Sequence, residues 1–208
     1  MMSKSLSSRK TFLIWLRTNA IVFTLAFLVV TILANVGPAP ATTVANAWFT
    51  AVKATGIRQV SEFTVKYDAF IHVLQRNTFS TFLQLVAGAL GVAPISLGVL
   101  ASFYGLVAFV KPSYGATVTG TDAFLIISEG AAFILAASLT STVASQMFGI
   151  EPGFGKAWFR SLLKASQSNF RKSKQWTPIV RKHGWLIAIV SGVIILSLLT
   201  GAWIEAIS

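Results

Sequence analysis

One carboxylate stands out for chemistry. Glu129 sits inside an apolar run from Ala123 to Met147, in company with Ser138, Thr140, Ser141, Thr142 and Ser145. An ionisable side chain in such a run is costly in lipid and is a functional candidate by default. Two roles are open to it. It could carry an ion or a substrate, or it could accept hydrogen bonds that hold helices together, from a neighbour such as Ser80, Gln84 or Tyr104. Ala132, Ala136 and Thr140 follow it at helical spacing, so the Glu129 face is small and polar and is predicted to look at other helices.

The remaining inventory for catalysis is short. The chain has 6 acidic residues, 2 histidines (His72 and His183) and no cysteine, so thiolate nucleophiles, thiolate metal sites and disulfides are excluded. No His-Glu-x-x-His, Gly-x-Ser-x-Gly or phosphate-binding loop occurs. The expectation is a non-enzyme with no catalytic residues, no metal and no cofactor.

The elements that must position Glu129 are apolar. The chain is 54% hydrophobic and only 11% charged, with mean hydropathy +0.72. A soluble domain carries about 25% charged residues, so one integral membrane domain over residues 1–208 is expected. The central problem is Phe79 to Val110, about 32 residues without a formal charge, where one crossing needs about 20. Gly91-Val92-Ala93-Pro94 invites a break in its middle.

In order, residues 1–19 form a basic start with Lys4, Arg9, Lys10 and Arg17, and 20–36 a first span. The helix could begin near Thr11, with Trp15 and Arg17 at the interface. A rival reading is a signal peptide cleaved at Ala39-Pro40-Ala41. Residues 37–77 read as a connector with a helix capped by Thr42 or Thr43 and a second, amphipathic helix capped by Ser61. Phe63, Tyr67, Phe70, Ile71 and Leu74 form its apolar face, which lies on the membrane or runs directly into the long stretch.

Residues 78–110 are then a Gly-rich helical hairpin or re-entrant pair, with Val92 to Pro94 at the tip. Gly91, Gly98 and Gly105 recur at intervals of seven, and such residues let helices approach closely. Asp122 is a candidate cap for the span at 123–147. Residues 150–183 carry Lys156, Arg160, Lys164, Arg171, Lys172, Lys174, Arg181 and Lys182. The part from Lys156 to about Arg171 reads as an interfacial amphipathic helix: Trp158, Phe159, Leu162, Leu163 and Phe170 on one side, Arg160, Lys164 and Arg171 on the other. Docking of a protein partner is the alternative, and Pro178 is expected to end the segment. The last span, 185–204, is framed by Trp185 and Trp203, about 27 Å apart on a helix. That matches two aromatic belts.

The net charge of +11 gathers beside the spans without a recognition motif, so it predicts orientation and anionic lipid rather than nucleic acid. If 78–110 crosses twice, both basic ends fall on the cytoplasmic side. The fold expected is therefore all-α: a multi-pass transmembrane helical bundle of about five spans, amino terminus cytoplasmic and carboxyl terminus outside.

Further residues carry a resemblance. Phe70 and Asn77 precede the Gly-rich pair, Gly88, Gly91 and Gly98 lie within it, Tyr104-Gly105 is in its second arm, and Glu129 opens the next span. This arrangement, over about Phe70 to Gly149, resembles the stage II sporulation protein M family. That family has Asn-Gly where Tyr104-Gly105 stands and His-Gly where Leu125 and Ile126 stand. The resemblance implies a non-enzymatic scaffold or assembly subunit of the plasma membrane. The sporulation member localises peptidoglycan-degrading partners during engulfment, and relatives occur in organisms that never sporulate. The expected partners are anionic lipid of the inner leaflet and other membrane subunits, a homo-oligomer among them. The candidate residues are Glu129, Asn77, Gln84, Gly91, Gly98, Tyr104 and Gly105. The alternative is a small oligomeric transporter or channel using Glu129.

The topology has a direct test. With the amino terminus inside, Lys111 is expected to react with an impermeant amine reagent only from the outside. Labelling of Lys111 from the inside would mean a single crossing and would remove both the hairpin and the resemblance.

Overall fold

The computed structural model describes residues 8–54, 64–113, 119–167 and 176–207. These form seven helices: α1 (Ser8–Val36), α2 (Pro38–Ala54), α3 (Lys66–Ala89), α4 (Ala93–Ser113), α5 (Gly120–Phe148), α6 (Lys156–Gln167) and α7 (Trp176–Ile207). Among the described residues there is no strand. Three helical segments are long and apolar enough to cross a membrane: Arg9–Val36, Gly120–Phe148 and His183–Ile207. This points to a membrane location. The apolar part of α4, Ala93–Phe109, is shorter, and α3 carries Lys66, Asp68 and Arg76. The count of span-length apolar helices is thus three where about five spans are expected.

Side-chain contacts fix which helix ends meet. At one end, Trp15 Nε1 of α1 donates to Ser145 Oγ of α5 at 2.7 Å, and His183 Nε2 of α7 lies 2.7 Å from Gln146 Oε1. Trp15, Ala144, Ile150 and Trp158 form a cluster there. At the opposite end, Ala34, Ala41, Ala45 and Phe109 join α1, α2 and α4, and Lys66 Nζ of α3 donates to the Ile207 carbonyl of α7 at 2.9 Å. Helices α1, α3, α4, α5 and α7 therefore alternate in direction along the bundle. The Ser8 end will be called the near end and the Ile207 end the far end.

The long apolar stretch is two helices. Helix α3 stops at Ala89, and the Val92 N–H bonds the Ala87 carbonyl at 2.9 Å while the Gly91 N–H bonds the Gly88 carbonyl at 3.0 Å. This is the Schellman pattern, which needs a left-handed residue, and Gly91 supplies it at φ +76°. A Cβ at Gly91 would also fall 2.6 Å from Ile150 Cδ1.

The glycines spaced at seven do different things. A Cβ at Gly105 would lie 2.7 Å from the Phe27 carbonyl, so α4 crosses α1 with backbones nearly touching. Gly88 does the same for α3 on α5, where a Cβ would come within 2.5 Å of the Ala137 carbonyl. At Gly98 the nearest atom, Val22 Cγ1, is 3.5 Å away, an ordinary contact. Ala132 and Ala136 on the Glu129 face are fully buried, as expected of a face that looks at other helices.

Several boundaries differ from the sequence expectation. The first helix starts at Ser8, close to the start expected near Thr11, and its Phe12 side chain is buried against α5 and α7 and its Trp15 side chain against α5 and α6. The Trp15 side chain thus faces other helices and is not presented at the protein surface. Helix α2 starts at Pro38, a residue suited to a first helical turn. Thr42 and Thr43 lie inside it and bond the Pro38 and Ala39 carbonyls. Ala39-Pro40-Ala41 is likewise within α2. Ser61 lies outside the described residues, and the amphipathic run from Lys66 continues without a break into the long stretch as α3. Thr119, not Asp122, is the cap of α5. Asp122 completes a capping box by accepting from the Thr119 N–H at 3.0 Å. Helix α7 begins at Trp176, so Pro178 sits in its first turn and does not end the basic segment. Phe170, Arg171, Lys172 and Lys174 lie outside the described residues.

The two close crossings predict unequal tolerance. Gly88→Ala and Gly105→Ala are each expected to cost about 1–3 kcal/mol through overpacking. Gly98→Ala should change stability by less than about 0.5 kcal/mol. Thermal unfolding midpoints in one detergent decide it, and equal shifts at all three positions would contradict the crossings.

Candidate functional site

Four helices bring a polar cluster together towards the far end. Glu129 lies in the third turn of α5 and is only 3% exposed. Its Oε1 accepts from Asn77 Nδ2 of α3 at 2.6 Å, and its Oε2 accepts from the Tyr104 hydroxyl of α4 at 2.5 Å. Arg76 Nη2 is 3.7 Å from Glu129 Oε1 and 2.7 Å from Glu205 Oε2 on α7. Arg76 Nε donates to Asn77 Oδ1 at 3.3 Å. The amide of Asn77 is thereby spent in both directions: its oxygen on the guanidinium, its nitrogen on Glu129.

Local packing explains why each group reaches. The Tyr104 ring lies between Phe23 and Phe133, with both centroid distances 6.3 Å, and this aims the hydroxyl at α5. The Phe23 ring in turn covers Gly130, where a Cβ would lie 3.0 Å from it. Gly201 lets α7 pass close to Glu129, whose Cγ would be 3.8 Å from an added Cβ. Asn77 is buried one residue from the half-exposed Arg76, so the pair straddles the boundary between core and surface.

The arrangement is chemically closed. A buried carboxylate is costly unless donors and a counter-charge reach it. Here both oxygens of Glu129 are engaged and one guanidinium faces two carboxylates. Among the described residues, no group of three or more His, Asp or Glu could hold a metal ion.

Of the residues singled out in the sequence, Asn77, Tyr104 and Glu129 meet in this cluster. Gly105 follows Tyr104 and sets the α1–α4 crossing. Gln84 lies two turns along α3 from Asn77 and is buried, with Oε1 lacking a hydrogen-bond partner among the described residues. Gly91 is at the near-end turn, and Gly98 is one residue after the buried Leu97 of the α1–α4–α5 core. These three are not part of the cluster. Ser80 and Gln84 do not bond Glu129; Tyr104 does. Sequence reasoning missed Arg76 and Glu205. The signal was present: an arginine in the arm of an apolar pair needs a carboxylate, and few acids are on offer in the whole chain.

Removing the acceptor should be felt. Glu129→Ala strands the Asn77 amide and the Tyr104 hydroxyl, with an expected loss of about 2–4 kcal/mol. A double-mutant cycle of Asn77→Ala with Glu129→Gln should give a coupling of ~0.6–2 kcal/mol, the range for hydrogen bonds between helices in lipid. Zero coupling would mean that the contact contributes nothing. No family model, curated protein or solved structure matches this chain.

Proposed function

We propose that this protein is a non-enzymatic, multi-pass membrane scaffold or assembly subunit, similar to the stage II sporulation protein M family. One observation carries the reading: both oxygens of the buried acid Glu129 are spent on side chains of α3 and α4. A carboxylate used in this way fastens helices and is not held open for cargo. The resemblance gains support from the same place, because Asn77, Tyr104 and Glu129, three of the residues that carry it, share one cluster.

In this proposal α1, α3, α4, α5 and α7 are five crossings, with α3 and α4 a hairpin. The near end is cytoplasmic, which puts Arg9, Lys10, Lys156, Arg160 and Lys164 inside and the carboxyl terminus outside, in a plasma membrane. The positive-inside rule supports this orientation. The alternation of helix direction supports it as well. Trp185 and Trp203 are both exposed on α7, at opposite ends of its apolar part, as belt residues would be. The partners are other membrane subunits.

The rival reading, a small oligomeric transporter or channel, draws on the presence of an ionisable group in a span-length helix. One comparison separates the two. The intact protein and Glu129→Gln are captured from the source membrane in mild detergent, and both are reconstituted into liposomes. The scaffold reading expects a co-purifying membrane protein that is depleted with Glu129→Gln, and liposome ion flux equal to that of empty vesicles. Flux that depends on Glu129 would move the protein to the transporter class.

A further inference from the structure

We propose that α6 is a binding site for anionic phospholipid headgroups, pinned by the protein at the level where the bundle passes from charged to apolar. The inference rests on the membrane placement proposed above, but not on the scaffold role.

Helix α6 has three faces. Trp158, Leu162 and Ala165, spaced four and three apart, turn towards the bundle. Trp158 is 6% exposed, and its Nε1 donates to the Gly91 carbonyl at 2.9 Å, so α6 is bolted to the turn between α3 and α4. Next round the helix, Phe159 and Leu163 are 53% and 47% exposed. Beyond them Lys156, Arg160 and Lys164 form an exposed cationic row. No acidic residue lies in α6.

Depth follows from the neighbours. Trp158 packs in one cluster with Trp15 of α1, and Arg17, two residues on, is exposed. Phe154, exposed just before α6, lines a groove with Thr18, Ile21, Val22 and Leu25 of α1. Below this level α1 carries Arg9, Lys10 and Arg17; above it α1 is apolar from Ala20 to Val36. Helix α6 thus lies at the charged-to-apolar border, with an apolar flank for acyl chains beside a cationic flank for headgroups. That is the order an in-plane interfacial helix requires. A soluble partner would leave Phe154 and Phe159 level with apolar, lipid-facing residues of α1, so lipid is the occupant that fits.

The absence of cysteine makes the test clean. Phe159→Cys and Arg160→Cys are each labelled with a fluorophore in the purified full chain, in nanodiscs of zwitterionic lipid with and without phosphatidylglycerol. Position 159 is expected to be quenched by lipids bearing a quencher high on the acyl chain, and position 160 by an aqueous quencher. Titrated phosphatidylglycerol should shift the label at 159, and adding Lys156→Gln/Arg160→Gln/Lys164→Gln to the Phe159→Cys chain should weaken that response by tenfold or more. Each cation near an anionic surface contributes about fivefold, so three leave ample margin. Aqueous quenching at 159, or a response to phosphatidylglycerol that survives the triple substitution, would overturn the proposal. So would shielding of 159 from both quenchers, which would give this face to a second copy of the chain. No partner protein is present, so failure here leaves the capture experiment for the scaffold role standing, and the reverse holds equally.

Discussion

A carboxylate away from water must be given donors by the protein itself, and that requirement organises this bundle. Glu129 takes one donor from α3 and one from α4 and is flanked by a guanidinium that also holds α7. Four helices are thereby placed relative to one another by groups that have few other ways to be satisfied. Dispersion contacts among alanines and glycines bring helices together in lipid but leave them free to slide. Hydrogen bonds to fixed atoms remove that freedom. The cluster acts as the registration mark of the far end, and the tight crossings at Gly88 and Gly105 decide how near the backbones can come to it.

The near end is held by different means. Its contacts come from indole and amide groups: Trp15 on Ser145, Trp158 on the Gly91 carbonyl, His183 beside Gln146. Between the ends, Asn19 Nδ2 of α1 donates to Ser138 Oγ of α5 at 3.0 Å. Each of these contacts joins two elements, whereas the Glu129 cluster joins four helices.

Much of this was legible in the sequence, and the reasons differ by element. The break at Gly91 could be read because an uncharged run of that length strains one crossing and because Gly-Val-Ala-Pro offers a turn. The inward direction of the Glu129 face could be read from Ala132, Ala136 and Thr140. Tyr104 stands in the sequence as one of three candidate partners, beside Ser80 and Gln84, because few polar groups exist in the long apolar stretch, and the structure selects it. The spans expected at 20–36 and 185–204 begin later than the helices that contain them, since apolarity marks the part that suits lipid and not the part that is helical. An indole near a charge, such as Trp15, reads as a surface anchor, and its burial against Ala144 and Trp158 is tertiary packing that no local pattern encodes. Arg76 and Glu205 were missed because their meeting is long-range, 129 residues apart, and no local pattern encodes it.

That separation has a consequence for how the chain is made. Arg76 is synthesised in a helix whose own acid, Asp68, is two turns away, and its two carboxylate partners arrive on α5 and then on α7. Asn77 waits 52 residues for its acceptor, and the Arg76–Glu205 pair closes only when the last turn of α7 is in place. Until then Arg76 has only the longer 3.7 Å contact with Glu129, so the settled position of α3 is a property of the finished chain rather than of α3. A truncation before α7 would therefore unsettle a helix that ends at Ala89, with α4, α5 and α6 laid down in between.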